Sequence, residues 1–477
     1  MSHLFRAPST SEQLFRYGER YKWWLLGAIT IGNLVAALSM TSFYVAGPAL
    51  MAQFGVGQDE VQWAYTGYLL ATAVSMLSSA WLIERVGLRR CYLGAVAAMA
   101  LASLCGALSP SLPILVAARM MLGFAGGMLL PMGSIVTLEW FAPAIQGRVS
   151  GLQGMVMVLA PAVAPALGGL LIDHFGWQAI FLMNLPCCVL AIAAGLSLLP
   201  ATVAARTAPP LDGRGLALLT AVTTGALVVV ESLPALSLPG SLTVGAGLTA
   251  LCFHMRRSAA PLFSPGLFRF PPLLWGCVVG FTSGCCLFAS TYLVPVFLQD
   301  SLGYSATAAG AVLVPAGLML ALALPLGGWL CDRHDLSHVT VAGLLLFAAP
   351  FLSLWLAVRT GSIGPLQVVL ALAGARLGLG LLLPAPNLGA LRGMHGRVLA
   401  QSSMLFHYAR QMGGVLGVAA VAAFVHARSG TAPAGTAYGE AFLAISILAL
   451  ATIIPALRIR RTALPLALRP PAEAPDE

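Results

Sequence analysis

From Trp23 to Gln58 the chain carries no charged side chain. About 20 apolar residues cross the hydrocarbon of a bilayer, and this run is too long for the apolar core of a cleavable leader. It predicts an uncleaved first span behind a polar, basic segment, 1–22. Cutting the remaining chain at charges and turn residues gives further spans near 61–83, 91–109, 114–137, 150–172 and 179–200. A polar linker, 201–214, leads to two more near 215–233 and 239–255. After the loop 256–271, six follow near 272–299, 306–330, 337–358, 363–387, 398–426 and 438–457, and a tail, 458–477, closes the chain. The expected organisation is fourteen transmembrane helices, with six-helix halves at 23–200 and 272–457 and an inserted helix pair at 215–255.

Composition agrees with that pattern. Only 9% of the residues are charged, against about 25% in soluble domains. Of the 25 basic residues, only Arg359 and Arg428 fall on the outer side when the N-terminus is placed in the cytoplasm, while Arg119, Arg376 and Arg410 lie within spans. Basic residues collect on the cytoplasmic side of membrane proteins, so both termini are expected there. Every loop is short, which leaves function to the space between helices.

Several chemistries are excluded. Lys22 is the single lysine, so no phosphate-cradling G-x-x-x-x-G-K-[ST] loop exists in the chain. The nine cysteines lie in or at the ends of apolar runs without a C-x-x-C, and read as small core residues. Cys331 with His334 and His338 lacks a fourth ligand for a metal. No catalytic centre, cofactor site or nucleic-acid-binding feature is expected.

The chain repeats itself. Trp81-Leu82-Ile83-Glu84-Arg85 near the end of the second span returns as Trp329-Leu330-Cys331-Asp332-Arg333 near the end of the tenth. Two spans after each, an arginine sits in a glycine-rich apolar helix ending in proline: Arg119, Gly123, Gly126, Gly127 and Pro131, then Arg376, Gly378, Gly380 and Pro384. Parallel repeated halves rocking about a midplane site characterise a large class of secondary transporters.

These residues resemble the major facilitator superfamily, and within it the fourteen-span drug:proton antiporters of the EmrB/QacA type. Ala80 to Arg90 is similar to the superfamily loop G-x-L-x-D-R-x-G-R-R, with Glu84 in the place of aspartate. Gln62-Trp63, Thr66 and Tyr68 resemble the entry to span two, and Arg119-x-x-x-Gly123 the span-four motif. Gly154 with Ala160 to Gly169 resembles the span-five antiporter motif, including Pro161, Pro165, Gly168 and Gly169. Trp177 with Phe181 to Pro186 is similar to the start of span six, and Arg410 to Gly414 to span thirteen.

The resemblance implies a cytoplasmic gate at Glu84, Arg85, Gly87 and Arg89, repeated at Asp332 and Arg333. An acid beside arginines at a helix end can bridge neighbouring helices; alternatively these charges merely anchor helix ends at the headgroups. Glycine and alanine in span five allow close helix approach, and its prolines bend the helix.

One departure concerns coupling. The family's span-one pattern L-D-x-T-x-x-N-V-A-x-P corresponds to Leu38 to Pro48, where Ser39 occupies the acidic position. A serine cannot carry a proton as a carboxyl does. His407, an imidazole inside a span with Arg410 one turn later, is the proton-coupling candidate; packing is its other reading. The three membrane arginines face either carbonyl oxygens and helix ends or an anionic ligand. Phe43, Tyr44, Trp63, Tyr68, Met76, Tyr292, Phe297 and Phe406 are candidate lining for a site that repacks around apolar molecules, with Gln299 and Tyr292 positioned to orient a ligand by hydrogen bonding.

The resulting expectation is a proton-driven exporter of small amphipathic molecules in a bacterial inner membrane. A narrower alternative exports an anionic metabolite such as a siderophore or an aromatic or fatty acid; another class altogether is a non-transporting sensor or scaffold. If the source is Gram-negative, the resemblance implies a periplasmic adaptor and an outer-membrane channel as partners.

Overall fold

The computed structural model describes residues 10–43, 46–200, 211–231, 238–258, 261–429 and 435–459. Tyr44 and residues 201–210 of the expected 201–214 linker lie outside the described residues, as does the tail from 460. Every regular element among the described residues is helical. The principal helices are α1 (Tyr21–Ser42), α2 (Gln58–Val86), α3 (Leu88–Ala107), α4 (Leu112–Trp140), α5 (Gln146–Phe175) and α6 (Asn184–Leu198). They continue with α7 (Gly213–Glu231), α8 (Leu238–Arg257), α9 (Pro271–Asp300), α10 (Ala306–Arg333) and α11 (Leu336–Thr360). The last three are α12 (Pro365–Leu382), α13 (Gly396–Ser429) and α14 (Thr436–Ala451).

Among the described residues, 12 helical segments are long and apolar enough to cross a membrane. Outside those 12, α5 and α8 are helices of 30 and 20 residues. The boundaries follow local chemistry. Gly87 separates α2 from α3 with φ 90°, a backbone conformation that essentially only glycine adopts. Asp335 caps α11 by accepting the Ser337 N–H at 2.8 Å. The charge-free first run is not one helix: α1 ends at Ser42, and a separate helix spans Gly47–Phe54.

The chain forms two compact units. The first comprises Met1–Phe141 and Val156–Leu211, the second Ala142–Met155 and Asp212–Glu477. In the first, α4 packs along α2, α3 and α1. Its glycines set the spacing: a Cβ on Gly123 would lie 2.9 Å from the Tyr68 carbonyl carbon, and one on Gly127 3.0 Å from that of Thr72. Without an aqueous hydrophobic drive between lipid-exposed helices, such backbone approach supplies the dispersion contact that holds them.

The second unit contains α7 to α14 and the first turns of α5. Its tightest seams are α9 with α13 and α11 with α12, α7 packs against α8, and α7 also packs on α13. There Thr223 Oγ1 and the Tyr408 hydroxyl form a short hydrogen bond. Thr223 spends its single proton on the Leu219 carbonyl at 2.7 Å, so Tyr408 is the donor. A second tie sits at the ends of the pair. Asp212 accepts from Gly215 N at 2.9 Å and Leu262 N at 3.1 Å, and meets His254 Nε2 at 2.8 Å. Burial by itself would raise the Asp212 pKa, but the Gly215 amide, His254 and the Leu262 amide outweigh it and hold the carboxyl below its ordinary value.

The grouping of residues 142–155 with the second unit differs from the expected division at residue 200. Contacts of α5's first turns with α10 are the reason.

Candidate substrate and gating sites

Arg119 is the most enclosed charge in the first unit, 2% exposed on α4. Its guanidinium lies 4.1 Å from the Phe43 ring centre and 4.3 Å from that of Tyr68. It donates to the Ser39 carbonyl at 2.9 Å, with the Ser39 hydroxyl at 3.5 Å and the Ala64 carbonyl at 3.4 Å. Two aromatic faces and carbonyl oxygens thus replace water around the charge. Tyr68 is fixed in turn by donating to the Ala36 carbonyl at 3.1 Å. Of the two sequence readings of this arginine, the one in which carbonyls satisfy it describes the geometry.

Phe43 and Tyr68 are 0% and 3% exposed, with their ring faces against Arg119. Phe406 and Phe297 are likewise buried; Phe297 packs edge-on against Phe442, and Phe406 covers Gly280. Met76 is buried too. Trp63 and Tyr292 are exposed. Gln299 is also exposed, and its amide donates back to the Pro295 carbonyl of its own helix at 3.2 Å.

In the second unit, Arg376 occupies the place on α12 that Arg119 has on α4, and is 8% exposed. It donates from Nη2 to the Thr291 hydroxyl of α9 at 3.1 Å. On α13, His407 is buried beside Phe406, and Arg410 is half-buried. The Arg410 backbone abuts Gly284 of α9, where a Cβ would lie 2.9 Å from its carbonyl carbon.

The repeated Trp-x-x-x-Arg sequence repeats its geometry. Arg85 lies over the Trp81 ring at 5.3 Å, and Arg333 over the Trp329 ring at 4.2 Å, one helical turn back in each case. Glu84 is half-buried. Arg89 is 7% exposed and donates to the Leu196 carbonyl at 2.8 Å, tying the start of α3 to the end of α6. Its role in the first unit is therefore a helix-to-helix anchor.

Asp332 shows what the acid does. Its carboxylate, 1% exposed, accepts the Gly147 N–H at 2.7 Å and the Arg148 N–H at 3.0 Å, two amides of the first turn of α5. Arg148 Nε approaches at 3.6 Å and Arg392 at 3.9 Å, and Arg392 also donates to Gln146 Oε1 at 3.2 Å. A helix N-terminus offers unpaired amides and a partial positive charge, so a buried carboxylate is well placed there. Below it the helices touch through glycine. Gly147 and Gly328 meet backbone to backbone, Gly151 abuts the Leu324 and Pro325 backbone, and Gly154 rests on the Leu324 side chain.

Gly154 and Gly168 of the expected antiporter motif thus face different partners. Gly168 approaches the Ser42 carbonyl of α1, 3.1 Å from an added Cβ. Pro161, Pro165 and Gly169 fall within α5. Sequence reading named Asp332 but missed its partners, since nothing local links it to residues 147 and 148. The i, i+4, i+7 spacing of Gly147, Gly151 and Gly154 was the available signal for that seam.

The protein's architecture and sequence have clear relatives. The solved structure of the proton:xylose symporter XylE bound to 6-bromo-6-deoxy-D-glucose superposes with a TM-score of 0.68 at 13% identity, covering 92% of this chain and 95% of that one. The chain is 30% identical over 403 residues to the multidrug resistance protein B homolog of Mycobacterium tuberculosis (strain ATCC 25618 / H37Rv), covering 82% of this chain and 74% of the relative. It is 27% identical to the methylenomycin A resistance protein of Streptomyces coelicolor (strain ATCC BAA-471 / A3(2) / M145), covering 87% and 89%. Residues 29–418 match the model of the Major Facilitator Superfamily. The chain therefore belongs to that superfamily: an integral, multi-pass membrane transporter of small molecules rather than an enzyme.

Proposed function

We propose that the chain exports small amphipathic organic molecules from the bacterial cytoplasm by alternating access, driven by the proton gradient. The observation that carries this reading is the set of relatives named for drug resistance. They include the multidrug resistance protein B homolog at 30% identity and the tetracenomycin C resistance and export protein of Streptomyces glaucescens at 31% identity, covering 70% of this chain and 62% of the relative. In this reading fourteen helices span the inner membrane with both termini inside, and α7 and α8 are the inserted pair. Asp332 holds the first turn of α5 when the cytoplasmic side is closed and releases it when that side opens. Since Ser39 stands where the resembled family carries an acid, coupling falls to another group, and His407 is the titratable side chain inside a span that suits it.

Inside-out vesicles containing the protein provide the test. Uptake of a fluorescent amphiphile that requires an imposed proton gradient and collapses with an uncoupler is the expected result. Accumulation indifferent to both gradient and uncoupler removes proton coupling; no movement of amphiphiles of either charge removes the exporter. Substituting His407→Ala is expected to abolish gradient-driven uptake while leaving downhill movement.

A further inference from the structure

We propose that Arg376 is an anchoring site for the acidic group, a carboxylate, sulfonate or phosphate, of an amphipathic substrate. The two halves carry their membrane arginines at matching places, yet the surroundings are opposite. Arg119 is clasped between two rings, bonded to carbonyls and 2% exposed. Arg376 has five donor protons in a planar fork and, among the described residues, gives one bond to the Thr291 hydroxyl. That hydroxyl is itself committed, donating to the Leu287 carbonyl at 2.6 Å, and carries no charge to offset the guanidinium.

Each acid of the second unit whose side chain is described already has a partner of its own. Asp212 is held by His254, Asp300 by the Tyr438 hydroxyl at 2.7 Å, Asp332 by the start of α5, Asp335 by Ser337 and Glu440 by Arg428 at 2.7 Å. Arg376 nevertheless keeps 8% of its surface accessible. A guanidinium in membrane surroundings that is always charged, sparsely bonded and still reachable is complementary to an oxyanion, which it grips with two parallel hydrogen bonds. Tyr292, exposed and adjacent to Thr291 on α9, offers an aromatic surface for the apolar part of the same ligand.

The inference rests on the export reading, and the test separates the two. Protein in neutral dodecyl maltoside is titrated with 11-(dansylamino)undecanoate and, separately, with its uncharged methyl ester, following dansyl fluorescence. The expected result is that R376Q weakens the acid by about tenfold or more, while ester affinity stays within about twofold of wild type. R376K, which keeps the charge but loses the fork, falls between. T291V removes only the resident hydroxyl and leaves acid binding within a few-fold, showing that a conservative change beside the site is tolerated. Thermal unfolding of each variant verifies that the fold is retained. Equal binding of acid and ester by wild type, or an R376Q variant that binds the acid as wild type does, overturns the anion anchor and leaves the exporter standing. Failure of the wild type to bind either probe overturns both readings for amphiphiles of this class.

Discussion

Gly378→Ala provides a severe test of how α11 and α12 are held. A Cβ at Gly378 would lie 2.5 Å from the Phe347 nitrogen, 2.7 Å from the Gly343 oxygen and 2.7 Å from the Leu346 carbonyl carbon. All three are backbone atoms, so no side chain can rotate away. Reaching an ordinary approach of about 3.5 Å forces the helices apart by about 1 Å. Overpacking of this kind costs about 1–3 kcal/mol, and rigid neighbours place it at the upper end. Against it stands the intrinsic gain of alanine over glycine in a helix, about 1 kcal/mol. Gly94 of α3 isolates that gain, because a Cβ there meets nothing within 4 Å. G94A is thus expected to be neutral or slightly stabilising, and G378A to lie about 2–3 kcal/mol below it. Unfolding in detergent can be followed with a thiol-reactive fluorogenic dye, since Cys91, Cys188, Cys285, Cys286 and Cys331 are free and buried. G343A presses on the same pair, 2.9 Å from Gly378 O, so the double variant is expected to cost less than the two singles added. If G378A melts with or above G94A, backbone contact does not set this seam and the argument fails.

Three further outcomes are expected. Asp332→Asn leaves one uncharged acceptor and turns an NH2 donor toward the other backbone N–H, and is expected to loosen the start of α5 by about 2–3 kcal/mol; faster maleimide labelling of Cys331, now 1% exposed, reads this directly. Unchanged labelling counts against the latch. Because the Asp212 carboxyl is held below its ordinary pKa, its contribution is complete above the unfolded value near 4 and is lost as pH falls through the folded value. Hydrogen exchange at Gly215 and Leu262 is therefore expected to quicken only at acid pH, and at every pH in D212N. Arg119→Lys is expected to fail where a merely cationic site would accept it, since an ammonium cannot lie flat between Phe43 and Tyr68; a wild-type melting temperature for R119K contradicts the sandwich.

Much of this was legible from local pattern. Charge-free runs became helices because the spacing of charges and turn residues directly limits what can lie in hydrocarbon. The break at Gly87 and the Trp-x-x-x-Arg stacking at both repeats are set within one or two turns, where sequence neighbours are also spatial neighbours. Residues meeting across long separations were not legible: Asp332 with Gly147, or Arg376 with Thr291. A buried ring holding an arginine and a ring lining a cavity look alike in sequence, so the stacking of Phe43 and Tyr68 on Arg119 was not legible either.

The junction at Gly147 and Gly328 has a mechanical implication. Contacts cushioned by long side chains yield gradually, each rotamer absorbing some displacement. Here main chain meets main chain and one carboxylate grips two amides, so there is almost nothing to compress. A small separation forfeits both amide bonds nearly together, while anything less leaves them intact. The contact behaves as a catch rather than a spring, and motion of α5's first turns against α10 should occur in one abrupt step, not along a continuum of partly opened forms.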